Sequence, residues 1–330
     1  MKMPEVPGWF FWVAYVGLLL LLSWSLERVC PWPHLRPLVS VGVMVGGGIV
    51  FVFLLHGLPV LTAFLTLRRN LDGAEKNARF TLAFHRTLAP TSRDTALQLS
   101  LLAEVLRMQC RFGEAESAIL ESLNLLTDLK ADSQEALARE ILGAIMRDQG
   151  KNSAAVQEGQ KACEILETLL KDCDEKSSDY QRLRRALAHS CLELGRSLSA
   201  SASADQALEV LHRSLDLRDR SGELGRQKAD VFTELARAYL QLGEYKEAEC
   251  AAQSALELLR AHADQPQTAQ TVLSPEDELA YARALAAAFA VVLQAPEKSR
   301  EERSRAEGML AEANNIRRKW LKPGDPELRN

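Results

Sequence analysis

The chain has 330 residues, a mass of 36.6 kDa, a formal charge of −4 and only 6% aromatic residues. That length holds one or two domains, and a charge this small and well mixed excludes both a nucleic-acid-binding stripe and an acidic solvating tail. Beyond residue 68 the chain is rich in Ala, Leu, Glu and Arg, a composition that favours helix.

The chain opens on two apolar runs. Trp9 to Leu26 carries no charge, and neither does Leu38 to Leu67. A hydrocarbon core takes about 20 apolar residues per helix, so transmembrane helices are expected near 9–26 and 38–58, with a turn around Pro59. Trp9, Phe10, Phe11, Trp12 and Tyr15 mark one end of the first span, and Trp24 and Trp32 the other. The loop from Glu27 to Pro37 holds three prolines, which makes the pair a tight hairpin. Residues 1–67 thus read as a membrane anchor, and 68–330 as a separate helical domain.

Gly42 and Gly46 form a GxxxG face that lets another helix approach closely. Packing within the hairpin and formation of a homodimer are both consistent with it. Basic residues after the second span (Arg68, Arg69, Lys76, Arg79) exceed those in the connecting loop (Arg28, Arg36), which places both termini in the cytoplasm. A cleavable signal peptide is the competing reading of the first run, but the bulky residues around Trp24 make a poor cleavage site. In either case the second run stops transfer and leaves the rest on the cytoplasmic side of a plasma or inner membrane. His56 lies inside the second run, where an ionisable group is a functional candidate; with no acidic partner in either span, a neutral, hydrogen-bonded imidazole is favoured.

The second part repeats one phrase four times. Leu102-Ala103 precedes Ala115, Leu142-Gly143 precedes Ala155, Leu194-Gly195 precedes Ala207, and Leu235-Ala236 precedes Ala248. The alanines follow one another at 40, 52 and 41 residues. A period of this size means stacked helical hairpins, each burying its apolar face against its neighbours. Phe232, Leu235, Ala236 and Tyr239 share one helix face, Gly243 breaks the helix, and Tyr245 opens a second helix with Ala248, Ala252 and Ala255 facing inward.

In these residues the chain resembles the tetratricopeptide repeat (TPR) family. The period near 40 resembles the longer kinesin-light-chain-like variant. The resemblance covers about 96–256 closely and 70–320 loosely, and it implies an all-α fold: a TPR-type α-solenoid behind the transmembrane hairpin. The 52-residue step predicts a longer hairpin or a loop near Asp172–Ser178. Asp72–Leu88 reads as the second helix of a degenerate first repeat, and Glu276–Val292 with Glu301–Lys319 as a final hairpin.

No catalytic motif accompanies the repeats. HExxH, GxSxG and GxGxxG are absent, the histidines have no metal-ligand spacing, and Gly150-Lys151 falls on a repeat turn. The six cysteines form no CxxC pair and suit core filling in a reducing compartment. The expected protein is therefore not an enzyme and uses no cofactor or metal.

The TPR resemblance implies instead that the first helix of each repeat lines a groove for a protein or peptide partner. Those helices would offer Glu104, Arg107 and Met108, then Glu140, Arg147 and Asp148. The later copies would offer His189 and Arg196, then Asp230, Arg237 and Gln241. One arginine per repeat (Arg107, Arg147, Arg196, Arg237) could form a ladder for a partner's carboxylates, or be neutralised by neighbouring acids. The Lys/Asn pattern of repeats that clamp chaperone tails is missing. The reading is a membrane-anchored scaffold or recruitment adaptor in contact with the lipid bilayer. The alternatives are a signalling regulator acting through hairpin dimerisation and a non-catalytic subunit of a membrane enzyme or transport complex.

Overall fold

The computed structural model describes residues 58–221, 225–263, 274–321, 325 and 328. Both predicted spans, Gly42, Gly46 and His56 lie outside these residues. Among the described residues no helix is long and apolar enough to cross a membrane.

Twelve helices make up the described residues. They are α1 (Leu58–Leu67), α2 (Leu71–Leu88), α3 (Arg93–Met108), α4 (Phe112–Asp128), α5 (Asp132–Asp148) and α6 (Asn152–Lys171). The second half contains α7 (Ser178–Ala200), α8 (Ala204–Arg220), α9 (Arg226–Leu242), α10 (Tyr245–Ala263), α11 (Pro275–Gln294) and α12 (Arg300–Trp320). They pair as six antiparallel hairpins. Each helix packs on its neighbours in sequence, and the first helices of successive hairpins also touch one another. The first helices line the inner side of the stack.

The repeated phrase is the crossing point within each of the four central hairpins. Ala103, Gly143, Gly195 and Ala236 of the first helices are buried, as are Ala115, Ala155, Ala207 and Ala248 of the second. Small residues there bring the two axes close. A Cβ added to Gly143 would stand 3.3 Å from the Ala155 carbonyl oxygen. The leucine of each phrase (Leu102, Leu142, Leu194, Leu235) fills the groove alongside. In two hairpins a buried serine adds a staple: Ser122 Oγ donates to the Ala96 carbonyl at 2.7 Å, and Ser214 Oγ to that of Ala188 at 2.6 Å.

The turns repeat as well. In each of the first five hairpins one residue takes the left-handed conformation: Arg69, Cys110, Gly150, Ala202 and Gly243. The N–H of the next residue then donates to a carbonyl five positions back, as in Ser203 to Leu198 (3.0 Å) and Glu244 to Tyr239 (3.0 Å). This ties off the last turn of the first helix. Only Gly adopts the left-handed region without a Cβ penalty, so the exposed Ala202 (φ 59°) carries strain that Gly243 does not. Ala202→Gly is expected to stabilise the fold by about 0.5–1 kcal/mol, read from the midpoint of chemical unfolding; a lower midpoint would contradict the strain argument.

The 52-residue step is absorbed by both expected means. α6 has 20 residues and α7 has 23, against 16 or 17 in α3, α4 and α5, and residues 172–177 connect them. Ser177 caps α7 by accepting from the Tyr180 N–H. The last hairpin lies where expected, and Ser299 with Glu302 forms a capping box at the start of α12.

Residues 58–67, within the stretch assigned to the anchor, form α1 and pack on α2. Pro59 sits in the first turn of α1, where its missing N–H leaves no bond unmade. Asn77 of α2 fastens the pair by donating to the Leu58 carbonyl and to Thr62 Oγ1, both at 2.7 Å. The hairpin whose second helix is 71–88 therefore has its first helix in the tail of the second apolar run.

Candidate functional site

All six first helices face one groove, with a cavity volume of about 1100 Å³. Each of the eleven side chains expected to face it, from Glu104 to Gln241, does so. Its wall is built from ion pairs between successive first helices. Arg107 Nη1 of α3 donates to Asp148 Oδ2 of α5 at 2.6 Å, and Arg147 Nη1 of α5 to Glu193 Oε2 of α7 at 3.0 Å. Arg196 Nε of α7 reaches Glu234 Oε1 of α9 at 3.1 Å. The last step is bridged twice, by Arg226 to Glu276 (2.8 Å) and by Arg283 to Asp230 (3.2 Å). Glu140 adds a further rung between α5 and α7, accepting from Ser190 Oγ at 2.8 Å and lying 2.8 Å from His189 Nε2.

The structure thus brings Arg107, Arg147, Arg196 and Arg237 onto one face but gives them different surroundings. Arg147 and Arg196 are about four-fifths buried, Arg147 against Glu193 and Arg196 against Glu193 and Glu234, and Arg107 also holds Glu104 on its own helix. Among the described residues Arg237 pairs with Glu234 of its own helix alone, at 3.3 Å, and its side chain is 36% exposed. Three arginines tie the stack together, and the fourth faces the groove.

The electrostatics follow from this packing. Burial alone would raise the pKa of Glu193, but the Arg196 and Arg147 guanidinium groups override it and hold the carboxyl well below the usual range. Burial likewise opposes ionisation of Glu234 and Asp230, and Arg237, Arg196 and Arg283 reverse it. The Glu140 carboxylate pushes His189 up to about 9, against the opposing effect of burial, so the ring is a cation at neutral pH. Eight acids line the groove opposite eight arginines and this histidine. The surface is close to neutral, with its charges committed in pairs.

The part formed by α3 and α5 is apolar between the rungs. Leu101, Met108, Leu137 and Ile141 line it, and Leu137 is 46% exposed. The readings from sequence missed Glu193, Glu234, Arg226 and Arg283. The separation of opposite charges was the available signal: Arg107–Asp148, Arg147–Glu193 and Arg196–Glu234 are 41, 46 and 38 residues apart, close to the repeat period.

Among the described residues no cluster of three or more His, Cys, Asp or Glu could hold a metal ion. The five described cysteines are free thiols.

The chain matches no protein-family model, and no curated protein stands as a relative. Solved structures do resemble its fold. BtubC (BKLC) from P. vanneervenii superposes with a TM-score of 0.54 at 19% identity, over 76% of this chain and 91% of that one. A Rap protein complexed with competence and sporulation factor gives 0.51 at 13% identity, over 78% and 71%. A kinesin light chain of Podosopora anserina with nearly identical TPR-like repeats gives 0.50 at 15% identity, over 64% and 97%. At these identities the likeness shows the fold, a TPR-like α-solenoid.

Proposed function

We propose that this chain is a membrane-anchored recruitment scaffold whose groove takes a segment of a partner protein at the cytoplasmic face. The groove carries this reading: six helices converge on one continuous cleft that is apolar along α3 and α5, and internal pairing neutralises the charges around it. A partner gains little by presenting carboxylates to Arg147 or Arg196, because it would have to displace the buried Glu193 and Glu234 from a guanidinium that already satisfies them. It gains more by burying apolar side chains on Leu101, Leu137 and Ile141, with Arg237 fixing register through its spare donors.

The Rap protein, whose fold is similar, was solved as a complex with competence and sporulation factor, which supports partner binding by a stack of this kind. The anchoring part of the reading rests on the uncharged runs 9–26 and 38–58, and the cytoplasmic side on the basic residues that follow them. No chemistry is assigned to the groove.

Leu137→Asp combined with Arg237→Ala, in the full chain held in membranes, is expected to weaken partner capture at least tenfold, or about 1.4 kcal/mol. Leu120→Asp, on the outer helix α4, should leave capture unchanged. Full capture by the folded groove variant would refute the assignment.

A further inference from the structure

The outermost hairpin of a solenoid ordinarily turns a polar face to water, because nothing stacks beyond it. The first hairpin here does not. α1 contains no charged residue and buries Leu58 and Thr62 against Asn77 of α2. On its other side Val60, Leu61 and Phe64 fall three and four positions apart, forming one stripe that is 68%, 37% and 51% exposed. Phe80 of α2, three residues past Asn77, is 56% exposed. Four of the ten large exposed apolar side chains among the described residues therefore sit on this one hairpin, while the other six are spread over the remaining length. Exposed apolar side chains concentrated on the end hairpin of a stack mark a contact surface.

Its surroundings identify the contact. The Arg68 guanidinium stands 5.5 Å above the Phe64 ring, and the exposed Lys76 lies one helical turn before Phe80. Arg68 is also the first charged residue after Arg36. Apolar side chains bordered by lysine and arginine, directly after a long uncharged run, match the order of acyl chain and anionic headgroup met on leaving a bilayer.

We infer that the exposed face of the first hairpin, Val60, Leu61, Phe64 and Phe80 with Arg68 and Lys76, lies on the surface of an anionic bilayer. This builds on the anchoring proposed above. The stack is then held against the membrane at its first hairpin, so the groove has a fixed orientation to the bilayer and does not swing on a tether.

The test uses the full chain reconstituted in vesicles of phosphatidylcholine and phosphatidylglycerol at 3:1. An environment-sensitive fluorescent amino acid is inserted by codon suppression at position 64, 80 or 120. Lipids with a nitroxide high on the acyl chain should quench the probes at 64 and 80 at least twofold more than the probe at 120, and vesicles of phosphatidylcholine alone should reduce the difference. Equal quenching at all three positions, in protein that resists carbonate extraction, overturns the inference and leaves the anchor standing. A probe at 64 shielded from water yet untouched by the lipid quencher also overturns it, since another protein surface then covers the patch. Strong quenching in protein that carbonate strips away retains the patch and removes the anchor. Stripping with no quenching defeats both.

Discussion

Replacing Arg196 by Met is expected to lower the unfolding free energy by about 2–3 kcal/mol, because it takes one guanidinium partner from each of two carboxylates that the fold has taken out of water, leaving Glu193 to Arg147 and Glu234 to Arg237. Arg196 is the junction of the inner wall. Its guanidinium holds Glu193 on α7 and Glu234 on α9 and stands 3.9 Å from Asp230. Glu234 is almost fully buried and Glu193 largely so. Methionine fills most of the volume but offers no donors. The difference between variant and parent depends on pH. In the parent, the lowered pKa values of Glu193 and Glu234 mean that their stabilisation is fully present above the ordinary carboxylate range. It is lost as pH falls towards the folded-state values. The gap should therefore be full at pH 7 and narrow below about pH 4, where the carboxyls take up protons. Chemical unfolding followed by helical signal at the two pH values measures it, and an early partial transition is expected because repeat stacks lose cooperativity when one interface weakens. A variant within about 0.5 kcal/mol of the parent at pH 7 would show that the wall's ion pairs are incidental.

The second large effect lies at a crossing point. Leu211 of α8 is fully buried and packs over Gly195 of α7, so closely that a Cβ there would come within 2.6 Å of Leu211 Cδ2. Leu211→Ala should cost about 2–5 kcal/mol through lost burial and the cavity left behind. Gly195→Ala gains about 1 kcal/mol of helix propensity but meets the leucine, for a net loss of up to about 2 kcal/mol. Together the two changes are not additive. With Leu211 truncated, the new methyl enters vacated space, and Gly195→Ala becomes stabilising by about 1 kcal/mol. A double-mutant cycle measures this; additivity would mean that the contact at Gly195 is not what selects glycine there.

The crossing points were the most legible part of the chain. A small residue is required wherever two helix axes come close, and that requirement recurs in the four central hairpins, so Gly143, Gly195 and their partner alanines show in the sequence as a period. The groove-facing register of Arg107, Arg147, Arg196 and Arg237 was legible for the same reason, since it follows from the helix face opposite the packing leucines. What those arginines do was not. Their partners Glu193 and Glu234 lie 46 and 38 residues away from Arg147 and Arg196, and charged residues are too common in helices for single pairs to stand out. The left-handed turns were legible at Gly150 and Gly243 but hidden at Cys110 and Ala202, where the fold imposes the conformation on residues that resist it. The first helix was obscured by composition: Leu58–Leu67 is as apolar as the run before it, yet Thr62 and Leu58 are held by Asn77 in a helical hairpin.

A partner is expected to bind on the inner face of the stack. A photocrosslinking amino acid placed at Met108 or Leu137, in the groove, or at Leu120 or Leu129, on the outside of α4 and its end, tests this in intact membranes. Groove positions should yield one discrete crosslinked protein and outer positions none. Crosslinks formed equally from both faces, or from the outer positions alone, would contradict it.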